Sequence, residues 1–484
     1  MQSTYLPTRQ RRTCKSQKKY QMRNKHVTRR SFLQLSTMSI VLASCAAAAT
    51  SAPQVHLKGA AASVDVIVIG AGIAGLAAAR DLVAGGKSVR ILEARDTVGG
   101  RIRTNRSWGK PVELGAQWIE TATGNPLVSL AKSAGVTTTA DPENGNERYI
   151  DTQTPEQLSG TAIDDLYTLA DDIISAAIDS AGGTDKSLRA AINQVPAYKS
   201  LNAAQKRRIE SMFAQVIDDD DAVEAELLSL NNYDEGIDAY RGGNLFVNNG
   251  YEGIPQYMAK NLTIEYNISV NRIATDATGV TVSAGSKTWR AGAVVVTVPL
   301  GILKANTITF SPALPAAYTA AIGKLAMGVL DKCILKYDTA FWGTSADTFT
   351  IVGTDPHEFY QFIPLNKAVG LPALVAFNAG SRARALEAKS DAQLQTQMAT
   401  IINKAFGVNK TPTGIIATRW GRDPYALGSY SYIPVGGSIQ ARRTLATPVN
   451  TRLVFAGEAY TESDASTVHG AYNSGKAAAK ALLR

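Results

Sequence analysis

The sequence predicts an α/β protein, with a doubly wound, Rossmann-like dinucleotide-binding domain and an interleaved α+β substrate-binding domain. Three observations carry that expectation. A β-branched run, Val64 to Ile69, ends in a glycine fingerprint, Gly70-Ala71-Gly72-Ile73-Ala74-Gly75. A second apolar run closes on Glu93, 23 residues after Gly70. Buried-strand texture then returns only beyond a long alanine-rich interval and once more near the C-terminus, so the first domain is assembled from separate stretches. The expected boundaries are 63–125, 241–305 and 441–484 for the dinucleotide-binding domain, and 126–240 with 306–440 for the substrate-binding domain.

Ahead of these lies a basic leader. Residues 1–30 hold ten Lys and Arg and no Asp or Glu, whereas the other 454 residues carry 40 basic and 41 acidic side chains. The formal charge of +9 is therefore a property of the leader, and nucleic-acid binding by the body loses its support. Arg29-Arg30-Ser31-Phe32-Leu33 followed by a modest apolar run to Ala49 resembles a twin-arginine export signal, too short to span a bilayer. Residues 1–52 are expected to be removed and the protein to be periplasmic, or anchored at the outer face of a bacterial membrane. Leu42-Ala43-Ser44-Cys45 resembles a lipoprotein box, which would lipidate Cys45; simple cleavage after one of Ala46 to Ala49 is the alternative, and both stay open. With Cys333 the lone thiol of the body, a disulfide framework is excluded there.

Along the body, Leu76 to Val83 reads as a helix stopped by Gly85-Gly86, and Ser88 to Glu93 as the second strand. From Pro126 to Tyr240 the helical spacing of Ile163, Leu166, Leu169, Ile173 and Ile174 predicts a mostly helical insertion. Strands are expected over Leu262 to Val270, Gly279 to Val282 and Ala293 to Val298, rejoining the first sheet. Residues 306–440 mix strands such as Cys333 to Leu335 and Phe349 to Val352 with helices; Arg452 to Gly457 reads as a last buried strand and Gly470 to Leu483 as the last helix.

The fingerprint has a physical reading residue by residue. Gly70 makes the tight turn, Gly72 lets the backbone approach a pyrophosphate, and Gly75 lets helix pack on strand. The N-terminus of the helix then presents partial positive charge to the phosphates, and Glu93 is placed to accept hydrogen bonds from ribose hydroxyls. Glu93-Ala94-Arg95 continues to a second glycine pair at Gly99-Gly100 and then Arg101, a further phosphate and ribose surface that a simple dehydrogenase does not need.

At this point the sequence resembles the flavin-containing amine oxidases, the family of monoamine oxidases, polyamine oxidases and histone-lysine demethylases. Further blocks extend the resemblance over nearly the whole body: Val112 to Glu120, including Gly115, Ala116, Gln117 and Trp118; Val296 to Leu303; Gly328 to Cys333 with Phe341-Trp342; Trp420 with Gly428 to Tyr432; and Phe455 to Glu458 with Thr467 to Ala471. The resemblance implies FAD as cofactor. It places Val270 at the adenine through its backbone, Trp420 and Gly457 around the flavin, Glu458 at the ribitol, and Val468 near the pyrimidine end of the ring. Ser429 stands where some relatives link flavin through cysteine, so non-covalent FAD is expected.

The same resemblance assigns the chemistry. Lys332 is the catalytic lysine expected to hold a water at the flavin, although alternation within Leu330 to Tyr337 does not settle its burial, since it shares a face with Ile334 and Lys336. Tyr430 is expected as an aromatic wall, and Trp118 and Thr467 as further catalytic positions, Thr467 standing where many relatives carry a second tyrosine. Glu120 matches an acidic position of plant-type polyamine oxidases and would bind a distal ammonium; Glu224 and Glu226 could add acidity. Four histidines in the chain and no cluster with metal-ligand spacing leave neither histidine-driven nor metal chemistry. The expectation is FAD-dependent oxidation of a polyamine to an imine, with oxygen or a quinone-type compound as acceptor. The alternatives are an L-amino-acid or aromatic-monoamine oxidase on the same scaffold, or a non-catalytic exported flavoprotein.

Overall fold

Strand β1 (Val64–Ile69) lies at the centre of the first sheet, flanked in parallel by β2 (Val89–Leu92) and β3 (Lys287–Val296) in the computed structural model, which describes residues 63–141, 146–154, 157–158, 160–233 and 239–484. The leader, with Arg29, Arg30 and Cys45, lies outside the described residues. Register pairs Ile69 with Leu92 on one side and with Val296 on the other. Ile264–Glu265 and Leu453–Phe455 extend the parallel sheet at β2 and β3, and an antiparallel meander continues it from β3 through Gly279–Ala284 and Arg272–Asp276.

Both faces of this sheet are buried, which is why its strands read as continuous apolar runs. Val66 and Val68 pack with Leu76, Ala77 and Val454, while Ile67 and Ile69 pack on the opposite face with Val294, Val296 and Phe455. Helix α1 (Ile73–Ala84) covers the first face and is itself covered by α2 (Val468–Leu482). A Cβ on Gly475 would sit 2.1 Å from the carbonyl oxygen of Ala74, so α2 approaches α1 at a distance only glycine permits.

The second sheet is mostly antiparallel. Its central strands are β4 (Leu330–Lys336) and β5 (Ala373–Ala379), bordered by Gly414–Ala417 on one side and by Gln361–Pro364, Thr348–Val352, Glu147–Asp151 and Gln157–Leu158 on the other. Helix Thr161–Asp179 and the shorter helices as far as Phe213 pack beside it. A small three-stranded sheet, Trp118–Ile119 with Leu245–Val247 and Thr138–Ala140, draws on three of the expected stretches at once.

Several expectations need correction. Thr309–Ser311 pairs with Arg272–Asp276, so the first sheet reaches past residue 305 into the stretch expected to belong to the second domain. The insertion is mostly helical as expected, but its strands Thr138–Ala140 and Glu147–Asp151 find partner strands far away in sequence. The strand expected over Leu262 to Val270 is confined to Ile264–Glu265. Asn267, with φ 59°, breaks it, and the chain beyond crosses Glu93 as an extended loop, Ile268 N–H donating to the Glu93 carbonyl at 2.8 Å.

Candidate active site

A cavity of about 1220 Å³ runs between the two sheets, larger than the 300–1,000 Å³ or so that holds a drug-sized ligand. Part of its wall is the β1–α1 turn. Gly70 has φ 101°, and a Cβ on Gly75 would stand 2.0 Å from the Gly70 carbonyl oxygen, so turn and helix need glycine for conformation and for packing respectively. Gly75 thus supports the wall from behind, whereas Gly70, Gly72, Ile73 and Ala74 line it. A Cβ on Gly72 would meet no protein atom within 4 Å; it would project into the open space before the first turn of α1. That turn has no side-chain cap and no acidic residue, so its N–H groups are left for an anion.

Opposite stands the second glycine pair. Gly99 N–H donates to the Ala71 carbonyl at 2.9 Å, and Gly100, with φ 60°, faces Gly72. Glu93 accepts from Ala71 N–H at 2.6 Å and from Arg95 N–H at 2.8 Å; burial raises its carboxyl against these two bonds. Ala94, Arg95 and Val270 line the same region, where Arg95 pairs with Asp423 at 2.6 Å. Arg101 bridges the Ser429 carbonyl at 2.7 Å and Glu458 at 2.8 Å. Burial alone would raise the carboxyl of Glu458, but Arg101 and Arg442 outweigh it and hold the group below the usual range. Gly457, Glu458, Thr467 and Val468 bring the N-terminus of α2 to the cavity, the Thr467 hydroxyl capping that helix by accepting from Gly470 N–H at 3.0 Å. Two helix N-termini, a carboxylate beside backbone donors and a passage open in front of Gly72 fit an anionic dinucleotide.

Lys332 sits at the centre of β4, opposite Phe377 of β5 and buried. Its Nζ donates to the carbonyls of Glu113 at 3.1 Å and Gly115 at 2.8 Å and to Gln117 Oε1 at 3.0 Å, and lies 5.7 Å from the Phe377 ring centre. Burial pulls the ammonium down to about 8, against the pull of Glu113 and Asp219. Ala116 and Gln117 line the cavity next to Trp118, whose ring is edge-on to Phe246 with centres 6.0 Å apart. Trp420 also lines it and donates to the Leu114 carbonyl at 3.0 Å, and Tyr430 donates through its hydroxyl to the Asp219 carbonyl.

Glu120 lies deep in the molecule, yet its carboxylate is open to the cavity. The chain turns sharply at Thr121, with φ 46°, and Asn125 donates to the Glu120 carbonyl at 2.7 Å, which fixes this loop. Burial raises the Glu120 carboxyl; His469 opposes that while Asp220 and Asp464 reinforce it. Asp219 and Asp220 line the same cavity and were not foreseen, because a run of four aspartates reads as a solvated face. Burial pushes Asp219 up to about 7, with Asp220 acting in the same direction. Glu224 and Glu226 do not line it: Glu224 accepts from Ser381 N–H at 3.1 Å, and Glu226 meets Arg189 at 3.1 Å on the exterior.

Fold and site together define a dinucleotide-binding protein whose large cavity also reaches a buried lysine. The family described as flavin containing amine oxidoreductase matches residues 73–483. Polyamine oxidase 4 of Oryza sativa subsp. japonica is 34% identical over 433 residues, 86% of this chain and 88% of that protein. Lysine-specific histone demethylase 1 homolog 2 of Arabidopsis thaliana is 32% identical, across 87% of this chain and 58% of that protein. Among solved structures, putrescine oxidase bound to putrescine superposes with a TM-score of 0.70 over 87% of this chain and 98% of that one, at 22% identity. The chain belongs to the flavin containing amine oxidoreductase family and is an FAD-dependent amine oxidoreductase.

Proposed function

We propose that the amine is a polyamine. When bound, FAD supplies the redox chemistry, removal of a hydride equivalent from the carbon beside nitrogen to leave an imine that water hydrolyses. The protein must exclude water, align the reacting carbon and hold the rest of the substrate. The observation that carries the reading is the acidic wall: Glu120, Asp219 and Asp220 line the cavity that also contains Lys332 and Tyr430. A polyamine offers one neutral nitrogen for oxidation while its other nitrogens stay protonated, and those distal ammonium groups match the carboxylates. An L-amino acid would bring its own carboxylate to these three acids; the arginines of the cavity, Arg95 and Arg101, are already paired with Asp423 and Glu458. The similarity to plant polyamine oxidases supports the same choice.

Glu120→Gln tests it. A partly desolvated ammonium–carboxylate contact contributes about 1.5–3 kcal/mol, against about 0–1 for an exposed pair. Spermidine and spermine should lose about tenfold or more in kcat/KM, while a simple monoamine changes little. Equal losses for both would return Glu120 to the scaffold, and a parent enzyme that prefers L-amino acids would overturn the polyamine reading.

A further inference from the structure

Asp218 to Asp221 form an unbroken run of four carboxylates, and the protein sorts them. Helix Ala203–Phe213 does not end before them but widens into a π-helical turn, Ala214–Asp218, then resumes for Asp219–Asp221. Such turns rotate the residues that follow and recur at functional sites. Here Asp219 and Asp220 line the amine cavity, while the carboxylate of Asp218 points to a different partner, His357.

His357 is buried and held at both ring nitrogens. Nδ1 lies 2.6 Å from Asp218 Oδ2, and Nε2 lies 2.9 Å from Glu210 Oε2. Glu210 is in turn fixed by Arg189, at 2.9 and 2.7 Å, and by the Tyr198 hydroxyl at 2.6 Å. The second oxygen of Asp218 is buried without a hydrogen bond, so His357 is the largest compensation for its burial, with Arg382 and Arg189 acting on it through their charge. Three residues beyond His357, the Tyr360 hydroxyl donates to Asp219 Oδ1 at 3.3 Å, and between them Phe359 N–H is tied to Asn378 of β5 at 2.9 Å. The segment from His357 to Tyr360 therefore grips consecutive aspartates, one facing away from the cavity and one lining it.

We propose that His357 is a positioning residue for substrate: by bridging Asp218 and Glu210 it fixes the π-helical turn that sets Asp219 and Asp220 in the wall of the amine cavity. This rests on the polyamine reading above. Two carboxylates flanking a doubly donating imidazole favour its charged form, and the ring is raised to about 9 although burial acts the other way. Without His357, Asp218 would lose its hydrogen bond and the largest charge that favours its carboxylate, leaving the charges of Arg382 and Arg189, and the turn would relax to solvate it.

The test uses the FAD-loaded enzyme and His357→Gln. The KM for spermidine should rise about tenfold with kcat within about twofold, while the KM for a monoamine and the FAD content stay unchanged. On the same protein, amide exchange over 214–222 should accelerate at least about tenfold, with β1 and α1 unaffected. Equal changes in KM for both amines, or unchanged exchange over 214–222, would overturn the proposal. Should His357→Gln not fold, Glu210→Gln, which keeps the side-chain volume and weakens the other end of the same bridge, is judged by the same two measurements and the same outcomes. A parent without preference for multiply charged amines would overturn the polyamine reading instead, and the exchange measurement then decides the clamp by itself.

Discussion

Replacing Lys332 by methionine removes the charge at the heart of the site while nearly keeping its volume, and the structure sets the size of the effect. An ammonium pulled by burial from 10.5 to about 8 costs the fold roughly 3 kcal/mol at neutral pH, where it is charged in both folded and unfolded chains. Because the folded value is the lower one, that cost is fully present below about pH 8 and fades as pH rises toward 10.5. Methionine abolishes it. Against this gain stand three oxygens that lose their donor, on Glu113, Gly115 and Gln117, at about 1 kcal/mol each for ordinary hydrogen bonds. Gain and loss nearly cancel, so Lys332→Met should fold with stability within about 1–2 kcal/mol of the parent and still bind FAD. Its chemistry should suffer more. The three bonds tie β4 to the segment that carries Gly115 and Trp118 into the cavity, and losing one aligned contact at the reacting centre costs at least about 1.4 kcal/mol, a factor of ten in rate. Anaerobic stopped-flow mixing with amine, followed by mixing with oxygen, measures loss and return of flavin absorbance separately. At least one rate should fall about tenfold, and an inflection near pH 8 in the parent should vanish in the variant. Parent-like rates in both half-reactions, with FAD bound, would refute the reasoning.

The remaining predictions concern cofactor and export. Gly72→Ala adds a Cβ that meets no protein atom within 4 Å, so it should leave the unfolding temperature of the apoprotein unchanged but reduce FAD retained after dialysis. Gly75→Ala places a Cβ 2.0 Å from the Gly70 carbonyl oxygen and should lower stability by about 1–3 kcal/mol or more; similar melting of both variants would contradict the roles assigned to the two glycines. Ser429, whose hydroxyl spans the N–H and carbonyl of Leu330 at 2.7 and 2.9 Å, has no thiol to link a flavin. Acid precipitation should therefore release all yellow colour, and colour kept in the pellet would show a covalent bond elsewhere. Export through the paired arginines is proposed from the leader, and changing Arg29 and Arg30 together to lysine should retain precursor in the cytoplasm; normal export would point to another route.

The dinucleotide half of the site was legible in the sequence because its geometry is local. Gly70, Gly72 and Gly75 act within six residues, and Glu93 follows one helix and one strand later, so turn, helix start and carboxylate are set by short-range backbone conformation. The helix and strand that carry them follow from apolar periodicity for the same reason. Lys332 marks where that legibility stops. It and Lys336 occupy the same face of β4 by alternation, yet Lys332 is buried over Phe377 while Lys336 reaches the ring of Trp108 near the surface, a difference decided by what packs against each end of the strand. The acidic wall lay further out of reach. Asp219 and Asp220 reach the cavity through one π-helical turn and contacts from Tyr360 and Tyr430, 141 and 211 residues away in the chain, whereas Glu224 and Glu226 are carried past it. Sequence determined the backbone that receives the cofactor, since neighbouring residues specify it. Tertiary structure decided which carboxylates line the cavity, because a single added residue in a helical turn, and partners far away in the chain, set the direction of each side chain.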